Sequence, residues 1–424
     1  MSDLKNMYKT LQKDPFPGEM TLRLGEQELV FKKRTWTIGG EEKGLRYGEN
    51  PDQPAALYEL VAGGLTLDGV AFRGPGKGLV AALKEEHMLQ AGKHPGKINL
   101  TDVDNGMNML QYLSAKPAAV ILKHNNPSGA AWSDKGVATA LENAFWSDRI
   151  AAFGGTVVVN RPLDVACAEF INSSYFEVVA APDFEPGAFD ILKRRKNLRI
   201  LRIPGLAQLE TLVNEPFLDV KSLVDGGVII QASFRNRILS AADFIPATAE
   251  KDGQTFMARK PTDAEADDLL FAWAVEAGVT SNSVIFARNG ATVSIGTGEQ
   301  DRVGCVDLAI TKAYTKYADV LSFQEQGKSI YELRALALAD GAAAEALADI
   351  EARTRAARGG LPGTVLVSDG FFPFRDGVDT CIAQGVSAIA QPGGSIRDHE
   401  IIEAVNQASP QVAMVFTGQR SFKH

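Results

Sequence analysis

The stretch ILKHNNPSGAA, residues 121–131, sets Lys123, His124, Asn125 and Asn126 side by side after a short apolar run, in a chain with only five histidines. An imidazole, with an ordinary pKa near ~6.5, can accept a proton at neutral pH, and an adjacent ammonium can stabilise a developing oxyanion. Neighbouring side chains on a regular strand point to opposite faces, so both groups reach one substrate only if the backbone bends there. The turn formers Asn-Asn-Pro-Ser-Gly after Val120, Ile121 and Leu122 predict that bend and an abrupt end to the strand. Taken alone, these residues also fit the commoner arrangement, a surface turn with solvated polar side chains.

Two further stretches could bind ligands. In LRYGENPDQPAALY (45–58), Arg46 offers a fork of donors to a phosphate and Gly48 permits close backbone approach. The same residues also suit an ordinary polar loop. In SDGFFPFRD (368–376), Phe371, Phe372 and Phe374 surround Pro373 and lead into Asp376. Apolar walls with one carboxylate would suit a flat heteroaromatic ligand, and a phenylalanine cluster in the core is the equal alternative. RGPGKGL (73–79) lacks the spacing of a mononucleotide phosphate loop, and in SIGTGEQD (294–301) Asp301 holds the place of the third glycine of a dinucleotide fingerprint. The basic run Lys193, Arg194, Arg195, Lys196 reads as a solvated face, with attraction of a polyanionic ligand tail as the lesser alternative.

The elements that must position these residues read as layered α/β. AAVILK (118–123), TVVVN (156–160), GVIIQ (227–231), SVIFAR (283–288), TVLVSD (364–369) and AMVF (413–416) predict buried strands. Thr262 caps a predicted helix through residue 279, with Leu269, Leu270, Trp273, Ala274 and Ala277 on one face. Residues 330–357 predict a helical hairpin inserted between sheet elements, and the turn-rich stretch 244–263 places a boundary near 245. At 424 residues, 45% hydrophobic and 23% charged, the chain has the composition of a soluble globular protein large enough for more than one core. The net charge of −8 gives no bulk attraction to nucleic acid or an anionic membrane. Cys167, Cys305 and Cys381 are too scattered for a disulfide framework or a thiolate metal site, and no run of apolar residues reaches membrane-spanning length. A reducing cytoplasm is the expected location.

In this order, LRYGENPDQPAALY, LKHNNPSG, AFGG (152–155), TSNSVIFARNG (280–290), IGTGEQDRV (295–303), SDGFFPFRD and the ending FTGQRSFKH resemble the formyltransferase portion of the AICAR formyltransferase/IMP cyclohydrolase family, from about Leu45 to His424. The resemblance implies two similar layered α/β subdomains like the cytidine deaminase core, here with a helical insertion, and active sites at a homodimer interface. The corresponding division is an N-terminal extension (1–44), a first subdomain with the Lys-His motif (45–245) and a second with the folate motif (246–424). Zinc deaminase chemistry is disfavoured, because neither an H-x-E element nor a P-C-x-x-C pair occurs, so no metal is expected.

The implied reaction moves a formyl group from 10-formyltetrahydrofolate, the cosubstrate, to the 5-amino group of the purine precursor nucleotide AICAR. By match to the family motifs, His124 takes the proton of the attacking amine, and Lys123 stabilises the tetrahedral oxyanion or protonates the departing folate nitrogen. The same match gives Arg46, Tyr47, Asn282, Arg302, Phe371, Arg420 and His424 to the nucleotide, and Pro373, Phe374 and Asp376 to the folate. Ser128 stands where Cys or Ala is usual, Glu299 where Gln is common, and Glu177 where Asp can occur. Only residues up to Gly44 precede the first motif, too short a lead for the cyclohydrolase domain, so formyl transfer without ring closure is expected. A non-catalytic AICAR sensor is the alternative; it would keep the arginines and lose the Lys-His pair, which is intact here.

Overall fold

The computed structural model describes residues 14–213 and 215–424, so Met1–Lys13 of the expected extension lie outside the described residues. The chain forms two compact units, both discontinuous: residues up to 114 with 154–235, and residues 115–153 with 236–424. The segment 115–153, which carries the Lys-His motif, belongs to the second of these units. Glu19–Leu24 and Gln27–Arg34 pair in one antiparallel sheet with Leu57–Gly63.

In the first unit Gly155–Val159, Phe176–Ala181 and Arg199–Arg202 run parallel, with Met88–Gln90 antiparallel at one edge. Helix Lys97–Leu110 packs on this sheet, and Asp164 starts helix Val165–Ser173 by accepting from the Cys167 amide at 2.7 Å. The stretch GVIIQ departs from expectation. It forms the strand Val228–Ala232, paired with Leu218–Ser222, and all of its residues are exposed. Its β-branched residues favour an extended backbone, but burial depends on what packs against the ribbon, which an apolar run cannot specify.

The second unit is built on the order Ile245–Pro246, Ala413–Phe416, Ala388–Gln391, Val365–Ser368, Val284–Arg288, Ala291–Gly296, Asn126–Trp132 and Ala118–Lys123. Its core gathers Val284, Phe286, Leu366, Ile389 and Met414 from the strands with Val306, Ile401 and Val405 from the helices. Thr262 caps helix Asp263–Glu276 through a reciprocal box with Glu265. That helix is buried on several sides, including Phe271, Ala272 and Val275, rather than along one stripe. The predicted helical hairpin is present as Ile330–Leu336 and Gly341–Ala356, packed on the long helix Arg302–Gln326.

Along the chain one element order occurs twice: an antiparallel hairpin, a helix, then three parallel strands alternating with helices. The first copy starts at Ala118 and the second at Val284. The helical hairpin is the insertion in the second copy. This is the mixed α/β duplication that the resemblance implied.

Candidate active site

Strand Ala118–Lys123 reverses through His124 and Asn125 alone, and Asn126 pairs back with Lys123. Both turn residues have positive φ, 54° and 61°, the left-handed pair that a two-residue hairpin of this twist demands. Asn and His are both among the non-glycine residues that adopt that conformation more readily than most. The bend is thus tighter than NNPSG suggested, since Asn126 to Gly129 already belong to the returning strand, with an irregularity of register between Pro127 and Gly129. Gly129 is required there, because a Cβ would lie 2.1 Å from the Ala144 carbonyl of the helix packed on the hairpin. Ser128 turns inward, its hydroxyl donating to the Ile121 carbonyl at 3.1 Å.

The turn is held from outside by backbone contacts. Lys423 Nζ donates to the carbonyls of Asn125 and Gly278, each at 3.1 Å. Asn126 Oδ1 accepts from the Thr280 amide at 3.0 Å. The His124 side chain remains exposed. Lys123 Nζ donates one hydrogen bond, to the Phe153 carbonyl at 2.9 Å, leaving further N–H donors for a ligand.

The C-terminal tail is stitched into the same unit through Ser421 N to Asp369 O (3.1 Å) and Ser281 N to Lys423 O (2.9 Å). These contacts put the exposed Arg420 guanidinium 5.9 Å from the Phe371 ring centre and 5.4 Å from that of Phe422, against which His424 packs edge-on. The phenylalanine motif divides between its two readings. Phe372 is fully buried in the core, whereas Phe371 is partly buried and Phe374 is 52% exposed, with Arg397 over its ring at 5.1 Å. Pro373 is partly buried and Asp376 exposed; one Asp376 oxygen accepts from the Gly377 amide at 2.8 Å, leaving the other for a ligand.

Asn282 is half-buried and fixed by its side chain. Arg302 Nη2 donates to its Oδ1 at 2.9 Å, and its Nδ2 donates to the Glu299 carbonyl at 3.1 Å. Glu299 thus serves through its main chain, which a glutamine would supply equally. Arg302 is itself buried, Nη1 on Asp369 Oδ1 at 2.6 Å and on the Ser283 carbonyl at 2.8 Å, so both its terminal nitrogens are taken by protein. The Cys305 thiol, donating to the Asn282 carbonyl, is pushed up to about 12 by burial and stays protonated.

Arg46 and Tyr47 belong to the first unit. The guanidinium lies 4.5 Å from the Tyr47 ring centre and donates to its hydroxyl at 2.8 Å. In that unit Arg199, almost wholly buried, donates to the Lys93 carbonyl at 2.7 Å and meets the Glu177 carboxylate at 3.4 Å. Burial lowers the pKa of His94, which keeps that imidazole neutral. Among the described residues, no group of three or more His, Cys, Asp or Glu side chains is placed to hold a metal ion.

Sequence reasoning did not single out Asp369, Ser281, Ser283 or Lys423, although each lies inside a quoted motif. Small polar residues at a strand end carry no periodic signal, and a lysine in an exposed-looking tail gives no hint of the carbonyls it will cap.

The sequence model of the AICARFT/IMPCHase bienzyme family matches residues 14–312. The chain is 34% identical over 391 residues to the bifunctional purine biosynthesis protein PurH of Magnetococcus marinus, covering 92% of this chain and 61% of that protein. It is 33% identical over 420 residues to PurH of Caldicellulosiruptor saccharolyticus (99% and 64% covered) and 37% identical over 382 residues to PurH of Acidithiobacillus ferrooxidans (90% and 58%). It therefore spans 58% to 64% of the length of these relatives. With the family match running through the Lys-His hairpin and Asn282, the chain belongs to the AICARFT/IMPCHase bienzyme family.

Proposed function

We propose that this chain is an AICAR formyltransferase that uses 10-formyltetrahydrofolate in purine biosynthesis. The observation that carries this reading is the contact of Lys423 with Asn125, which joins the tail bearing Arg420 and His424 to the turn bearing His124. This contact supports assigning a proton acceptor and a cation suited to phosphate to one site. The amine nitrogen of AICAR attacks the formyl carbon and its proton passes to His124. Lys123 stabilises the oxyanion so formed. The bond from carbon to the folate nitrogen then breaks, that nitrogen taking a proton from Lys123 or from the His124 imidazolium. The conjugated amine is a poor nucleophile, so orientation and proton removal, each contributing roughly several powers of ten, must supply the rate.

Arg46 and Arg420 are assigned to the phosphate, Tyr47, Asn282, Phe371 and His424 to the rest of the nucleotide, and Pro373, Phe374 and Asp376 to the folate. Arg302 is assigned a supporting place behind Asn282, since both of its terminal nitrogens already bond protein groups. The exposed ribbon supports a homodimer: Val220, Val228 and Ile230 share one face and form the kind of apolar surface that isolated monomers seldom expose. Light scattering is expected to give twice the chain mass of 45.5 kDa. The cytoplasm is the proposed location, in keeping with three free, buried cysteines and, among the described residues, no helix long and apolar enough to cross a membrane.

The test is to incubate purified protein with AICAR and 10-formyltetrahydrofolate. AICAR-dependent release of tetrahydrofolate is the expected result. Binding of AICAR without release would support the non-catalytic sensor instead.

A further inference from the structure

We propose that Asp369 is a positioning residue for the nucleotide: it fixes the recognition side chain Asn282 through Arg302 and through the two serines that flank it. The inference rests on the assignment of Asn282 to the nucleotide under the proposed function. Asp369 is wholly inaccessible to solvent. Its Oδ2 accepts from the Ser281 hydroxyl, and its Oδ1 from the Ser283 amide at 3.1 Å and from Arg302 Nη1 at 2.6 Å. One carboxylate thus grips the chain on both sides of residue 282 and also holds the cation that grips the side chain of 282.

The consequence for Asn282 follows from donor and acceptor types. A guanidinium only donates, so the amide oxygen must face Arg302; a carbonyl only accepts, so the amide nitrogen must face Glu299. The flip of the amide is set by the network, leaving one N–H and one oxygen lone pair for a ligand. Without Asp369, Arg302 would lose its buried counter-charge and its fixed fork, and the amide would be free to rotate.

The surroundings are shaped for this arrangement. At Gly370 a Cβ would stand 2.7 Å from Arg302 Nη2, so the glycine makes room for the fork. A second buried carboxyl, Glu276, accepts from the Ser283 hydroxyl at 2.6 Å. Burial first, and then the charge of Asp369, hold Glu276 well above the ordinary carboxylate range, so Arg302 answers the charge of Asp369 rather than dividing between two anions. A buried ion pair that served stability alone would not need the other arm of its arginine on a half-exposed amide.

The test is Asp369→Asn in the full chain, with steady-state constants for both substrates and the double variant with Asn282→Ala. The expected result is an AICAR KM raised about tenfold or more, as for loss of a charge-assisted contact, with the folate KM changed less than about twofold. In the Asn282→Ala background Asp369→Asn should add less than about twofold, because the residue it acts through is gone. If Asp369→Asn unfolds, Ser281→Ala carries the same cycle with an expected rise of about two- to fivefold. Equal changes in both KM values, or effects that multiply in the double variant, would overturn the inference. Should the wild-type chain bind AICAR without transferring formyl, the proposed reaction fails, while AICAR dissociation constants from calorimetry on the same variants still decide the role of Asp369.

Discussion

His124 and Asn282 lie in one unit, and they are immobilised in opposite ways. At His124 the backbone is fixed, by a two-residue reversal with positive φ at both residues and by the Lys423 and Asn126 contacts beside it, while the imidazole stays exposed. At Asn282 the side chain is fixed, by Arg302 on one atom and Glu299 on the other, with the fully buried Asp369 behind them. The difference matches what the proposed function asks of each. A group that passes protons must meet its substrate with its own edge free, and a group that recognises a ligand must present one edge only. Damage to the turn should then cost rate with little loss of stability, and damage to the network should cost stability and binding together.

The sharpest way to break that contrast is at the turn. Lys123→Met is expected to lower kcat by about a hundredfold or more, as for removal of an oxyanion donor, with an unchanged thermal midpoint; a variant that melts early would show the turn to be structural. The converse variant, Asp369→Ala, strands a buried guanidinium and is expected to lower the unfolding free energy in urea by about 3–5 kcal/mol. A loss below about 0.5 kcal/mol would remove the contrast from that side.

Smaller effects sharpen the division between ligands. Arg420→Ala should raise the AICAR KM about tenfold and spare the folate KM, and Asp376→Ala should do the reverse; equal effects on both substrates would undo either placement. The smallest effect is a pH dependence. Because Glu276 has its pKa raised in the folded protein, the folded state binds more protons than the unfolded one once pH passes the ordinary value near ~4.5. Stability contributed by the neutral acid is therefore lost as pH rises towards the folded pKa. Glu276→Gln has no proton to lose, so its thermal midpoint should gain on that of the wild type from pH 5 to pH 8; a constant difference would contradict the assignment.

Strand positions were legible in the sequence where apolar runs end on turn residues: AAVILK and AMVF coincide with Ala118–Lys123 and Ala413–Phe416. Burial was less legible. GVIIQ and SVIFAR have the same character, yet the first is an exposed ribbon and the second becomes Val284–Arg288 in the core, because what lies against a strand is settled by distant parts of the chain. The division into units was hidden for the same reason, since the segment 115–153 joins residues that resume only at 236. The motifs pointed to His124, Asn282 and Asp376, but not to Asp369, whose proposed role depends on burial and on donors from two separate segments, Ser281 with Ser283 and Arg302.

The central claim is that the exposed imidazole of the turn carries the proton transfer while the arginines carry the affinity. The most direct measurement is a single-turnover transfer of a 13C-labelled formyl group to AICAR by His124→Ala, with the AICAR dissociation constant taken on the same sample. The account predicts binding within about tenfold of wild type and transfer slower by roughly 10² to 10⁴. Transfer within tenfold of the wild-type rate, or binding lost together with transfer, would contradict it.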